Sequence, residues 1–188
     1  MMIIPILHLI VSIFWVAIIA YWLFSAFNAK KNLKTGDWAR DAGIRVLIII
    51  VIIVVFEIAP HSGFLGHQFG VAAQVVGTVL AVAGIAFAMW ARLHLGSNWS
   101  GTPSIKEGHE LVTSGPYRFV RHPIYTGIIV AALGSGFVVG AAWFVVFVVM
   151  GVNFLYRIPI EERYMMQLFP DQYPEYRKRT KALVPWVW

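Results

Sequence analysis

The sequence predicts an all-α, polytopic membrane protein: five transmembrane helices, the last two a short helical hairpin, with cytoplasmic loops and C-terminal interfacial helices. Three observations predict it. The chain is 59% hydrophobic and only 13% charged, too apolar for an ordinary soluble surface. Several apolar runs approach or exceed the roughly 20 residues a helix needs to cross a bilayer, where backbone polar groups must be satisfied within the segment. Lys and Arg crowd alternate links between those runs and are missing from the others.

The first run, Ile3 to Phe27, has no basic start and is longer than the roughly 7 to 15 apolar residues of a cleavable signal, so it is expected to be a retained helix. Lys30, Lys31, Lys34 and Arg40 follow it and make the first link cytoplasmic. Gly43 to Ala59 is the second run; Glu57 is the one ionisable residue deep in it, near its outer end. The second link, Pro60 to Gln68, has no Lys or Arg and is assigned to the outside. Phe69 to Leu95 is the third run, after which Arg92, Lys106, Arg118 and Arg121 return to the cytoplasmic side. Arg157, Arg163, Arg177, Lys178, Arg179 and Lys181 keep the C-terminus there, with the N-terminus outside. The formal charge of +6 therefore flanks spans and suits an anionic inner leaflet, so membrane lipids rather than nucleic acid are the expected partner.

A polar block from Gly108 to Gly127 then interrupts the apolar pattern, and Ile124 to Tyr156 resumes it. Gly134-Ser-Gly136 is a plausible turn within that stretch and would make it a hairpin; the alternative is one long bent helix. The first arm would then have about a dozen residues, roughly 18 Å at 1.5 Å per residue, short of a hydrocarbon core of roughly 30 Å. Pro123 suits the first helical position, which leaves His122 at the helix mouth. Past Tyr156 the sequence reads as short amphipathic helices at the cytoplasmic surface, with Trp186 and Trp188 at interfacial depth.

Chemistry is expected on the face that collects the polar block and the start of the tail. With no cysteine, thiolate metal sites and cysteine nucleophiles are excluded. No Gly-x-Ser-x-Gly elbow, His-Glu-x-x-His helix or Gly-x-x-x-x-Gly-Lys loop occurs, which removes the usual support for hydrolase, zincin and P-loop activities. His109 and His122 stand thirteen residues apart with no acidic pair at fixed spacing, so no metal is expected. Arg157 and Glu161 lie four apart across Pro159, which does not guarantee a simple helical pair.

Leu95-Gly-x-x-Trp99, Gly108-His-Glu-Leu-Val112, Gly115-Pro-Tyr-Arg118, Arg121-His-Pro-Ile-Tyr125 and Arg157-x-x-x-Glu-Glu-Arg163, with Phe169-Pro and Tyr173-x-x-Tyr176, resemble the isoprenylcysteine carboxyl methyltransferase family. The resemblance runs from about Arg92 to Trp186, and in length the chain is similar to compact prokaryotic members, an archaeal one in particular. It implies a multispanning enzyme that uses S-adenosylmethionine and releases S-adenosylhomocysteine. Residues 1–188 would form a single integral membrane domain, 1–95 its three N-terminal helices and 96–188 the catalytic region with cofactor loop, hairpin and surface helices. The cofactor site it implies is His109, Glu110, Leu111, Val112, Tyr117, His122, Pro123, Ile124 and Tyr125. Arg157 and Glu161 would be the catalytic residues and face a lipophilic or prenylated methyl acceptor. Physical chemistry agrees: tyrosines supply cation-π contact to a sulfonium, and Arg157 orients a carboxylate that is already ionised and needs no base.

Three other activities fit parts of the same pattern. A methyltransferase acting on a phospholipid amine, a thiol or another small lipophilic acceptor would keep the cofactor half; a sterol-type reductase would replace the cofactor; a non-enzymatic scaffold would need neither.

Overall fold

The computed structural model describes residues 3–26, 32–35, 38–99, 104–106, 108 and 110–185. Its helices are α1 (Ile3–Ala26), α2 (Trp38–Ile58), α3 (Val71–Leu95), α4 (Pro123–Val139), α5 (Trp143–Leu168) and α6 (Gln172–Arg179). By length and apolarity α1, α2, α3 and α5 can each cross a bilayer, and α4 is the shorter apolar helix. Five helices in the membrane region, the fourth of them short, match the expected class. Large aliphatic side chains such as Val16, Leu23, Leu47, Ile49 and Val152 point outward, where lipid is the solvent and burial against protein gains little.

What holds the helices together is close backbone approach rather than bulk. Along α3, Gly77, Ala81, Gly84, Ala88 and Ala91 recur at intervals of four and three and lie on one buried face. Gly127, Ala131 and Gly134 do the same on α4. A Cβ at Gly84 would sit 2.6 Å from the Gly127 carbonyl oxygen, and one at Gly134 would sit 2.5 Å from the Gly77 carbonyl oxygen. Small residues at this spacing let two helices come within van der Waals contact of each other's main chain. Helix α1 joins the pair through Ile18 against Ile85, Ala88 and Ala131, and through a hydrogen bond of 2.9 Å from Trp15 Nε1 to Ser135 Oγ.

Gly134-Ser-Gly136 is therefore no turn. It lies inside α4, where Gly134 meets Gly77 of α3 and Ser135 meets Trp15 of α1, and the hairpin turns at Gly140–Ala142 instead. There Gly140 has φ +125°, a conformation L side chains rarely adopt, and the Gln68 amide occupies the space a Cβ would need. The α2–α3 link seals this turn: Ala141 N–H donates to His67 O at 3.0 Å, Ala142 N–H to Leu65 O at 3.1 Å and Gln68 Nε2 to Val139 O at 3.2 Å. The arm thus has 17 residues. That is about 25 Å of helix, still somewhat less than a hydrocarbon core.

Two further differences concern the cytoplasm-assigned end. Arg157 to Leu168 is not a separate surface helix but the last three turns of α5, which runs through Pro159. Only α6 is short. An antiparallel ribbon, β1 (Asn32–Thr35) paired with β2 (Ser104–Lys106), adds two strands to an otherwise helical fold. It ties the α1–α2 link to the α3–α4 link, as two segments emerging from the same end of the bundle permit. Lys30, Lys31, Trp186 and Trp188 lie outside the described residues.

Candidate active site

The polar block folds because Pro123 starts α4 as its first residue, with His122 immediately before it. The C-terminal segment fixes that entrance. Val120 bridges Lys181 in parallel, Arg121 N–H donates to Lys181 O at 2.8 Å, His122 N–H to Ala182 O at 3.0 Å, and Thr126 Oγ1 to Leu183 O at 2.7 Å. Arg121 then turns inward: Nε donates to Glu162 Oε1 at 2.7 Å and Nη1 to the Thr180 carbonyl. Both side chains of the Arg121–Glu162 pair are almost wholly buried, and Arg177 reaches the other Glu162 oxygen at 3.3 Å. A buried pair like this specifies register, because losing one partner strands the other charge.

Above the pair lies a cavity of about 160 Å³. Glu110, Leu111, Val112, Tyr117, His122, Pro123, Ile124, Tyr125 and Glu161 line it, so the sequence-expected set converges there except for two residues. His109 lies outside the described residues. Arg157 stands behind the wall rather than in it, donating from Nε to Tyr125 OH at 3.2 Å and from Nη2 to Glu161 Oε1 at 3.3 Å. The Arg157–Glu161 pair therefore forms despite Pro159, because α5 stays helical there and the side chains share one face. Tyr125 OH donates to the same Glu161 oxygen at 2.5 Å. Its ring is stacked between His122, at 5.5 Å, and Phe154, at 4.1 Å, both within 7° of parallel. His122 is held from both sides, Nδ1 lying 3.6 Å from Glu161 Oε2 and Nε2 3.5 Å from Glu162 Oε1.

The cavity also contains residues that sequence reasoning did not place in the site. Trp99, Tyr164, Tyr173 and Tyr176 add aromatic surface. Burial pushes the phenols of Tyr117, Tyr173 and Tyr176 up from their ordinary value, so all three stay neutral and can donate. Tyr176 does so to the Tyr117 carbonyl at 2.6 Å. Beneath Trp99 lies Arg92, 1% exposed, with its guanidinium 4.4 Å from the ring centroid. Arg92 Nη1 donates to Gly96 O and Nη2 to Ser25 Oγ, both at 2.8 Å, so it holds the end of α3, the wall and α1 together. The quoted motif Leu95-Gly-x-x-Trp99 carried the signal for Trp99; nothing local marks Arg92, whose partner Ser25 is 67 residues away.

Aromatic faces and the carboxylates of Glu110 and Glu161 fit a ligand that is cationic, partly aromatic and rich in polar atoms. No group of three His, Cys, Asp or Glu placed to hold a metal occurs among the described residues.

On the far side of Arg157 is a second cavity of about 230 Å³, between α2 and α5. Asp41, Arg45, Asn153, Tyr156 and Arg157 supply its polar groups, Arg45 from an exposed position on α2, and Ile44, Ile48, Ile49 and Met150 line the rest. Arg157 is the partition between the two spaces.

Residues 75–167 match the isoprenylcysteine carboxyl methyltransferase (ICMT) family. The chain is 35% identical over 176 residues to protein-S-isoprenylcysteine O-methyltransferase A of Arabidopsis thaliana, covering 90% of this chain and 85% of that one. To protein-S-isoprenylcysteine O-methyltransferase B of the same plant it is 32% identical over 151 residues, covering 75% and 72%. Among solved structures, the eukaryotic intramembrane Ras methyltransferase ICMT shares the fold with a TM-score of 0.55 at 20% sequence identity. That likeness covers 81% of this chain and 54% of the solved one, so the chain spans about half of that protein's length.

Proposed function

The chain belongs to the isoprenylcysteine carboxyl methyltransferase family and is a multi-pass membrane carboxyl methyltransferase, and we propose that Arg157 divides its site into a donor half and an acceptor half. The observation that carries this is the position of Arg157. Its guanidinium bonds Tyr125 and Glu161 of the first cavity while lining the apolar second one.

The donor half holds S-adenosylmethionine, by Glu110, Leu111, Val112, Tyr117, Trp99 and His122 to Tyr125, with His109 expected beside them. When bound, that cofactor supplies a methyl group made electrophilic by a sulfonium sulfur. Tyr125 and the aromatic wall face it, and the closely packed rings exclude water. The acceptor half takes the carboxylate of a lipophilic, isoprenylcysteine-like molecule. Arg157 orients that carboxylate; Glu161 and Tyr125 keep Arg157 in place and offset its charge. No general base is needed, because the attacking oxygen is already ionised.

In this proposal residues 1–188 act as one membrane domain, with 1–95 supplying three helices and 96–188 the catalytic region. The N-terminus is outside and the active site cytoplasmic. The contacts Arg92–Ser25, Arg121–Glu162 and the β1–β2 ribbon gather the basic links at one end, which supports that orientation.

The test is to incubate the protein in lipid with labelled methyl donor and a long-chain S-alkyl N-acetylcysteine, then identify the product by mass. A methyl ester is expected, along with saturable donor binding that Tyr125→Ala and His122→Ala both weaken. No saturable binding, or binding indifferent to both variants, refutes the donor half. A methylated sulfur or amide nitrogen in place of the ester refutes the acceptor half.

Arg92→Met is expected to loosen Trp99 and lower donor affinity about tenfold, the size of one desolvated cation-π contact. Arg92→Lys should not recover it, since an ammonium cannot bond Gly96 O and Ser25 Oγ and stack at once. Calorimetric titration with the donor checks both.

A further inference from the structure

The second cavity has a feature the transfer of a methyl group does not require. Asp41, in the first turn of α2, is only 8% exposed and lines the polar end of the cavity, and its Oδ2 is buried with no hydrogen-bond partner. A buried carboxylate oxygen left unpaired is costly, so a donor brought to it by a ligand is bound favourably. The apolar residues continue deeper along the same two helices: Met150 is two turns of α5 beyond Arg157, about 10 Å at 1.5 Å per residue. The cavity is thus shaped for an amphiphile whose head lies between Asp41 and Arg157 and whose chain lies along Ile48 and Met150.

We propose that Asp41 is a specificity residue: it accepts a hydrogen bond from an N–H group that the methyl acceptor carries beside the carboxylate held by Arg157. This rests on the acceptor half of the function proposed above. Its physical basis is charge. An acceptor carboxylate arriving at Arg157 comes close to a second anion, Asp41, and a plain fatty acid has nothing to place between them. An amide or ammonium on the adjacent carbon does, and it also satisfies the orphaned oxygen. Asp41 thereby separates the isoprenylcysteine-like acceptor of the proposed function, which carries such an N–H, from a simple fatty acid, which does not.

The experiment uses the full chain in lipid nanodiscs with S-dodecyl-N-acetylcysteine, S-dodecyl-N-acetyl-N-methylcysteine, which lacks the N–H, and 3-(dodecylthio)propanoic acid, which lacks the nitrogen. Methyl-ester formation and direct acceptor binding are both measured. Wild-type protein is expected to favour the N–H acceptor by roughly 10- to 100-fold, the effect of one hydrogen bond to a charged group. Asp41→Ala should lose that preference, through a higher KM for the N–H acceptor and a lower one for the two acceptors without it, with donor affinity unchanged. Asp41→Asn, which keeps an acceptor oxygen without the charge, should keep part of it. Equal use and equal binding of the three acceptors by wild-type protein overturn the proposal, as does a preference that survives Asp41→Ala. Failure of all three to be methylated, with the binding preference intact, counts against the functional assignment and leaves the role of Asp41 standing.

Discussion

Arg157→Ala is expected to lower methyl transfer by about 100-fold or more, the usual scale for removing a group that orients or stabilises the reacting atoms, while donor affinity changes by no more than about twofold. The two effects separate because of where the side chain lies. Arg157 reaches the first cavity through Tyr125 OH and Glu161, and Tyr125 remains fixed without it by stacking on His122 and Phe154. On the acceptor side no other buried cation lines the cavity among the described residues. Arg45 shares the second cavity but is exposed on α2, whereas Asp41 repels the same carboxylate. Arg157→Lys should retain more activity than Ala and less than wild type, since an ammonium keeps the charge but not the fork that bonds Tyr125, Glu161 and a carboxylate together. Steady-state kinetics with donor and acceptor varied separately, beside a donor titration, give the result. A loss of donor affinity as large as the loss of rate would place Arg157 in the donor half and contradict the division of the site.

Much of this arrangement is legible in the sequence, and the limits have physical causes. The spans are readable because a bilayer demands long apolar helices, and the cavity wall because Pro123 must begin a helix and so places His122 and Tyr125 at its mouth. Gly134-Ser-Gly136 misleads because glycine has two uses. In a soluble loop it marks a turn, but between membrane helices it marks the closest approach of two backbones, and only the partner glycines on α3 decide which. Pro159 misleads in the same direction: it removes one helical hydrogen bond, yet within a membrane segment breaking the helix would expose more. The partners of Arg92, Asp41, Arg121 and Glu162 are hidden for a different reason. Their roles depend on side chains or cavities brought together by residues far apart in the chain, such as Arg121 and Glu162, which are 41 positions apart.

Gly84→Leu is expected to be the most damaging substitution away from the cavities. A Cβ at Gly84 would lie 2.5 Å from Ala131 N and 2.6 Å from Gly127 O, and both atoms are backbone, so no side-chain rotation relieves the clash. Helices α3 and α4 must move apart. The cost should reach at least the roughly 1–3 kcal/mol of ordinary overpacking, because contacts along the whole small-residue face are lost together. Separation would also act on the site, since Gly127 is two residues from Tyr125 and α3 carries Arg92 and Leu95 at its end. Donor binding should therefore fall with stability, although Gly84 touches neither cavity. Gly43→Ala on α2 is the control: no atom lies within 4 Å of its added Cβ, and replacing a helical glycine should be neutral or stabilising by about 0.5–1 kcal/mol. Thermal unfolding in detergent and donor titration on the two variants measure this directly. If Gly84→Leu unfolds at the wild-type temperature and binds donor normally, α3 and α4 do not meet backbone to backbone, and the wall of the donor cavity must be held by some other contact.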